Sequence, residues 1–191
     1  MSAPTVQRKI LSRVFFAGPT LQVAKSLLGK YLVRNSRAGR LAGRIIEVEA
    51  YVGPKDRASH ASRGRTKRTD VMFGRSGVAY VYLIYGMYHC FNVVTEREGY
   101  PAAILVRAVE PASPPSPVID GPGRVCRYFQ IDQSLNRLDL TVGQTLWIEG
   151  RGERVSPSAI TAYPRIGVDY AGEWATKPWR FRLNNTRGKR Q

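Results

Sequence analysis

Apolar and polar residues alternate with a period that changes along the chain, and each change marks an element. Leu21, Ala24, Leu27 and Leu28 recur at helical spacing in TLQVAKSLL, which predicts a helix over 20–28. Thr20 is placed to cap that helix and Gly29 to end it. Residues 30–34 and 42–51 read as strands on either side of a turn at 36–40 (SRAGR). In the second strand, AGRIIEVEAY, strict alternation puts Ile45, Glu47 and Glu49 on one face and Ile46 and Val48 on the other. VGPKD then breaks it. Residues 78–85 (VAYVYLIY) are rich in aromatic and β-branched side chains, and MYHCFNVV follows as a partner, so 78–95 reads as a hairpin with its tip at Tyr85–Gly86–Met87. AAILVRAV at 102–109 and QTLWIE at 144–149 are further strands. PASPPSPVIDGPG at 111–123 is a Pro-rich surface loop, and 124–131 a short helix opening at GPG. From 163 onward the chain reads as irregular and basic, with Trp174 and Trp179. Strands and helices mix without a βαβ rhythm. The fold expected is α+β, a single compact domain around a curved antiparallel sheet, with a protruding tyrosine-rich hairpin and surrounding helices.

Composition narrows the class. With 191 residues, 1–191 is one domain, its basic ends 1–13 and 184–191 expected to be flexible. A hydrophobic content of 43% rules out a disordered basic tail. No run of about 18 apolar residues is present to span a membrane, and the charged first 30 residues do not read as a signal peptide, so the expected compartment is the cytoplasm, on the nucleoid in a bacterium. Cys90 and Cys126 do not make a disulfide framework; Cys90, beside Phe91 in a strand, reads as buried and inert. Without coiled-coil heptads, a monomer is the default.

Charge changes the picture most. Thirty Lys and Arg against 14 Asp and Glu leave +16. Much of it is clustered, in RGRTKR at 63–68, in KPWRFR at 177–182 and in RGKR near the end. Such runs are the usual footprint of phosphate binding, and nucleic acid is the polyanion expected. Charge alone separates neither DNA from RNA nor an enzyme from a binder.

Candidate chemistry is sparse. His60, His89, the two cysteines and scattered carboxylates show no metal-ligand spacing, and no phosphate-binding glycine loop or nucleophile elbow occurs, so neither metal nor cofactor is expected. Glu47 and Glu49 stand out in a chain short of acid. A carboxylate in a basic, nucleic-acid-facing site does not help phosphate binding; the pair is either catalytic or held structurally by arginines such as Arg44 or Arg107. Tyr80, Tyr82, Tyr85 and Tyr88 crowd the hairpin. Cross-strand packing accounts for Tyr80 or Tyr88. A tyrosine at the tip, Tyr85, would be exposed, and an exposed ring on a basic protein suits insertion between bases. Carboxylate, stacking rings and wedge together suggest an enzyme acting on one flipped base. The alternative is a non-catalytic RNA or damaged-DNA binding protein that uses the tyrosine hairpin as a stacking platform.

From about residue 14 to 183 the chain resembles the alkyladenine (3-methyladenine) DNA glycosylases. The resemblance is carried by GRIIEVEAYVGPKDRASHASRGRT at 43–66, VMFGRSGVAYVYLIYGMYHCFNVV at 71–94, ILVRAVEP at 104–111, GPGRVCRYFQI at 121–131 and RIGVDYAGEWATKPWRF at 165–181. It implies a cofactor-free, monofunctional enzyme of base excision repair acting on double-stranded DNA that contains damaged purines: 3-methyladenine, 7-methylguanine, hypoxanthine and ethenoadenine. By the same resemblance Glu49 is the general base, and Arg107 with the carbonyl of Ile166 holds the water. Tyr51 and His60 flank the flipped base, Tyr82 stacks on it, the His60 backbone reads its edge, and Asn92 disfavours guanine. Tyr85 fills the gap in the duplex and Met72 lies in the minor groove. Arg63, Arg65, Lys67 and Arg68 are the expected phosphate contacts. No lysine is placed as a Schiff-base nucleophile, so no lyase activity is expected. The chain departs from the family in its short Pro/Ser stretch at 112–120 and in a basic loop after His60 about one residue shorter than in mammalian members.

Overall fold

The computed structural model describes residues 7–113 and 116–184. Ten strands form one antiparallel sheet: β1 (Lys9–Ile10), β2 (Tyr31–Ser36), β3 (Gly39–Val52), β4 (Ala79–Ile84), β5 (Tyr88–Val94), β6 (Ala102–Pro111), β7 (Ile119–Asp120), β8 (Leu146–Gly150), β9 (Ile160–Tyr163) and β10 (Arg180–Leu183). The main path runs β1-β8-β2-β3-β6-β5-β4. Three α-helices, α1 (Arg13–Phe16), α2 (Thr20–Leu27) and α3 (Pro122–Phe129), and several 3-10 turns complete the described chain. The expected α+β architecture on an antiparallel sheet is what is found.

β3 organises the sheet because it is long enough to hold three neighbours. β6 runs along one edge from Gly43 to Val52. The other edge is shared: β2 pairs with residues 39–44 and β10 with Glu47, Val48 and Glu49. One face of the sheet is oily. Ile46, Val48, Ala50, Val81, Phe91, Val93, Ile104 and Val106 form one core cluster with Val23, Ala24 and Leu27 of α2 and with Val125, Cys126 and Phe129 of α3. Each valine, leucine, isoleucine or phenylalanine among them contributes roughly 1.5–3 kcal/mol when removed from water. α3 rides close to β3 because Gly43 has no side chain; a Cβ there would sit 3.1 Å from the Phe129 ring. Both cysteines are free and buried.

Several elements differ from the sequence reading, each for a local reason. Thr20 is the first helical residue, not the cap; Pro19 precedes the helix, and Glu96 accepts from the Thr20 N–H (2.7 Å) and hydroxyl (2.8 Å). A carboxylate at that end also suits the helix dipole. α3 starts two residues early, with Pro122 in its first turn, where a missing N–H costs nothing. Ile45 does not share a face with Glu47. Ile45 pairs with Val109 and Glu47 with Ala108, so Ile46 is an extra residue, and both isoleucines enter the core. Residues 9 and 10, expected to fray, add a short edge strand beside β8. β10 lies where irregular chain was expected, and β9 in a stretch just before it to which the sequence assigned no element. Residues 1–6 and 185–191 of the two expected flexible ends lie outside the described residues. Asn184 is described, and its N–H donates to the Ala159 carbonyl at 2.9 Å.

Candidate active site

The polar face of the sheet carries the site, and strand register assembles it. Glu49 on β3 is the cross-strand partner of Leu105 on β6, Leu105 of Asn92 on β5, and Asn92 of Tyr80 on β4. Four strands thus place four side chains in one row. Tyr51, two residues beyond Glu49, partners Ala103; Tyr82, two beyond Tyr80, partners Cys90. Because successive side chains alternate faces, these positions all look the same way, opposite to the oily core. Above them lies a cavity of about 130 Å³. That is some ten times the ~10–15 Å³ a single water needs. It is lined by Glu49, Tyr51, His60, Met72, Tyr80, Tyr82, Cys90, Asn92, Leu105, Arg107 and Ile166, among others. The expected catalytic and base-binding residues therefore converge on one place, from five separate stretches of sequence.

Glu49 is fully buried, at 0% exposure. It accepts from the Ile166 N–H at 2.9 Å and from the Tyr51 hydroxyl at 2.9 Å, and the Arg107 guanidinium lies 3.5 Å away. Burial nonetheless dominates and raises its pKa; Arg107, the Ile166 amide, Tyr51 and Arg165 pull the other way. The Tyr51 hydroxyl is itself held well above its ordinary pKa, by burial and then by the Glu49 charge, so it remains a donor. The sequence left open whether Glu47 and Glu49 pair with Arg44 or Arg107. Arg107 contacts both, while Arg44 is engaged with Glu110 and Glu153.

His60 forms a wall. It opens a 3-10 turn, His60–Arg63, capped by the Ser59 hydroxyl, which accepts from the Ala61 N–H. Its Nδ1 is 3.0 Å from the Tyr80 hydroxyl, and its ring meets Tyr82 edge-on at 4.7 Å. Burial, followed by the charges of Arg68 and Arg63, lowers its pKa to about 4, so the ring is neutral at neutral pH. Asn92 is buried and donates to the Tyr80 carbonyl at 3.1 Å, which fixes its amide at the cavity floor.

Two residues that the sequence reading did not single out hold this geometry. Asp56 and Arg165 form a fully buried ion pair with bidentate contacts of 2.6 and 2.8 Å. Asp56 also accepts from the Val52 and Ala58 N–H groups, and Arg165 donates to the carbonyls of Ala50 and Trp174. The pair ties the end of β3 to the loop that leads to His60 and to the segment that presents Ile166. The signal available was a lone Asp in the basic run GPKDRASH.

The hairpin tip stands apart from the cavity. Ile84 pairs with Tyr88, leaving Tyr85, Gly86 and Met87 as the loop. Tyr85 is 84% exposed and Met87 67%. Tyr85 has φ 53° and Gly86 φ 69°. The left-handed region suits Gly86, but for a tyrosine it is strained backbone. Met72, expected in a DNA groove, is not at the surface. It is 2% exposed, within a 3-10 turn (Asp70–Phe73) packed on Ala61, Tyr80 and Ala103, and it lines the cavity. The exposed methionine beside Tyr85 is Met87. All four basic residues are exposed; Arg65 also pairs with Asp70 at 2.7 Å, and Arg68 lies 4.8 Å over the Tyr82 ring. Among the described residues no cluster of three His, Cys, Asp or Glu could hold a metal, and no helix is long and apolar enough to cross a membrane.

Residues 14–187 match the family model of Methylpurine-DNA glycosylase (MPG). A putative 3-methyladenine DNA glycosylase of Methanocella arvoryzae is 49% identical, the match covering 93% of this chain and 94% of that protein. One of Myxococcus xanthus is 52% identical over 90% of this chain and 88% of its own length. One of Legionella pneumophila (strain Corby) is 49% identical over 92% and 94%. Family match and near-full-length relatives agree: the chain belongs to the methylpurine-DNA glycosylase family.

Proposed function

We propose that this protein excises damaged purines from double-stranded DNA by hydrolysing the bond between base and deoxyribose, with Glu49 as the general base. The observation that carries this reading is a buried carboxylate, oriented by two hydrogen-bond donors with an arginine 3.5 Å away, on the floor of an aromatic-walled cavity large enough for more than water. The flipped base lies against Tyr51 on one side and against His60 and Tyr82 on the other, because the rings of His60 and Tyr82 touch and leave no room between them. As the bond from C1′ to the base nitrogen breaks, its electron pair leaves with the base and positive charge develops on the sugar, as in glycoside hydrolysis. Water attacks C1′ and gives its proton to Glu49. Arg107 and the Ile166 carbonyl hold that water. The raised pKa of Glu49 brings its proton affinity nearer to the working pH, which favours proton transfer.

Substrate preference follows from the same walls. Alkylated purines such as 3-methyladenine and 7-methylguanine carry positive charge, which electron-rich rings attract. Hypoxanthine and ethenoadenine are neutral and gain less. His60 is a poor acid for them, since its pKa is about 4. Asn92 crowds the exocyclic amino group of guanine. No lysine takes part as a nucleophile, and the step is hydrolysis without strand cleavage. Tyr85 enters the space that the base vacates, and Arg63, Lys67 and Arg68 meet phosphates beside it. The enzyme acts as a monomer.

The test is base release from duplexes carrying 7-methylguanine or hypoxanthine, with Glu49→Gln in parallel. Release of both lesions by wild type, 7-methylguanine faster, and loss in the variant with lesion binding intact is the expected result. Wild-type turnover by Glu49→Gln would remove the general base. Binding without release by the wild type would instead make the hairpin a stacking platform.

A further inference from the structure

Glu47 is the other carboxylate of this face, and nothing in the reaction above uses it. It is almost fully buried yet meets three guanidinium groups: Arg107 Nε at 3.2 Å, Arg180 Nη1 at 3.1 Å and Arg182 Nη1 at 2.7 Å. Arg107 is the one that matters for Glu49, because its Nη1 lies 3.5 Å from Glu49 Oε1. One planar fork therefore bridges two carboxylates through different nitrogens. A guanidinium held at Nε cannot swing its Nη edge freely.

The backbone makes the same arrangement. Glu47 pairs with Ala108 but Val48 pairs with Val106, so Arg107 is the extra residue of β6, just as Ile46 is the extra residue of β3. Two opposed irregularities at one point of the ladder restore register within a few residues. Such features commonly re-aim a side chain near an active site. Arg180 and Arg182, from β10, meet the remaining charge of Glu47, so it is not one more bare anion beside Glu49.

We infer that Glu47 is a positioning residue of the glycosylase reaction: through Arg107 Nε it fixes the guanidinium edge that faces Glu49 and the attacking water. This rests on the roles proposed above for Glu49 and Arg107. The charged and titratable groups facing Glu49 are Tyr51 of its own strand, Arg107 of β6, Cys90 of β5 and Arg165 of the segment before β10. Among these, Arg107 is the largest influence that favours the ionised carboxylate.

The experiment is a single-turnover pH profile of 7-methylguanine release by wild type, Glu47→Gln and Arg182→Gln, with lesion-duplex affinity and thermal unfolding recorded alongside. Two effects oppose in Glu47→Gln: loss of the Glu47 charge favours ionised Glu49, whereas a fork that swings away from Glu49 disfavours it. Positioning makes the second the larger, so the Glu49 carboxyl protonates at higher pH and the acid limb of the rate moves up. A limb that moves down would mean that only the charge of Glu47 is felt, and would overturn the assignment. The rate at neutral pH falls roughly ten- to a hundredfold, the scale of a misplaced catalytic group; affinity stays within about threefold. Arg182→Gln removes the shortest ion pair of Glu47 but not its link to Arg107, and leaves the limb in place. An equal shift in both variants, or a rate loss in Glu47→Gln with an unmoved limb, would overturn the assignment in favour of a purely structural charge cluster. Should Glu47→Gln fail to fold, Glu47→Asp, which draws the carboxylate back by one methylene, is expected to shift the limb in the same direction, and an unmoved limb there overturns it equally. No release by wild type at any pH would take down the proposed function and this role together.

Discussion

The sheet buries one glutamate on its central strand, β3, and another on β8 beside the β1 edge, and the two are built alike. Glu49 accepts from Tyr51, two residues along its strand, and from the Ile166 amide, and lies near Arg107. Glu149 on β8 accepts from Trp147 Nε1 (2.8 Å), two residues along its strand, from Arg151 (2.9 Å) and from Arg40 (3.4 Å). Both carboxylates are buried beside an aromatic donor and arginine. They differ in what lies in front. Arg40 stacks on the Trp147 ring and Arg151 on Tyr31, so both arginines that meet Glu149 are themselves anchored. Glu49 faces a cavity, and its arginine stands half an ångström beyond a close ion pair. A satisfied buried carboxylate is structure. One whose partners leave an open side, and whose charge burial disfavours, is available for chemistry.

Exchanging each for glutamine separates the two most sharply. Glu49→Gln should lower the base-release rate by about 10²–10⁴-fold, the range for a lost general base. Its stability at neutral pH should rise, because an acid whose pKa is raised on folding costs stability when ionised. Glu149→Gln should do the reverse: activity within about twofold, and a loss of roughly 1–3 kcal/mol from donors left without an acceptor. Single-turnover kinetics and urea unfolding of both variants measure this. If the two changes moved stability in the same direction, the contrast would fail.

Much of the cavity was legible in sequence because a strand writes its faces as alternating letters. Glu49 and Tyr51, or Tyr80 and Tyr82, need only period two to share a face, and the hairpin carries Asn92 to Tyr80. What was not legible is what interrupts or spans that period. Ile46 leaves no mark as an extra residue, so Ile45 was given the wrong face. Met72 was assigned to the groove by the family resemblance alone, and nothing in its own sequence shows that a 3-10 turn buries it. RFRL alternates, but as two arginines among many it reads as charge, not as β10. The partner of Asp56 is 109 residues away, beyond any local pattern.

That Asp56–Arg165 pair supplies the next contrast, with the surface pair Arg65–Asp70. Replacing Arg165 by Met leaves Asp56 charged and buried, and should cost about 3–5 kcal/mol. Arg65→Ala removes an ion pair of similar length whose arginine is largely exposed, and should cost at most about 1 kcal/mol. Denaturant midpoints of the two variants test this. Equal losses would mean that burial is not what distinguishes them.

His60 sharpens the comparison through pH. Its pKa is about 4 in the folded protein against 6.5 for an ordinary histidine. Between those values the unfolded chain binds the proton and the folded one does not, so stability falls as pH drops from 6.5 toward 4. The integrated effect is at most about 3.4 kcal/mol, at 1.36 kcal/mol per unit. His60→Gln should flatten that part of the stability profile. An unchanged slope would place the acid sensitivity elsewhere.

The smallest effect belongs to Tyr85, which reverses the usual relation between a large ring and stability. Unlike Tyr80, buried on the same hairpin, it gains nothing from packing and holds a left-handed backbone that disfavours a side chain. Tyr85→Gly should therefore leave stability unchanged or raise it by up to about 1 kcal/mol. The same change should weaken lesion-duplex binding by about tenfold, because nothing then fills the gap left by the flipped base. Chemical unfolding and fluorescence anisotropy read the two effects separately. A variant that gained stability and kept its affinity for the lesion would leave the strain at the tip without the use assigned to it. A loss of affinity with a gain in stability would put the tyrosine in the same class as Glu49: a residue that the fold holds at some cost because the reaction needs it.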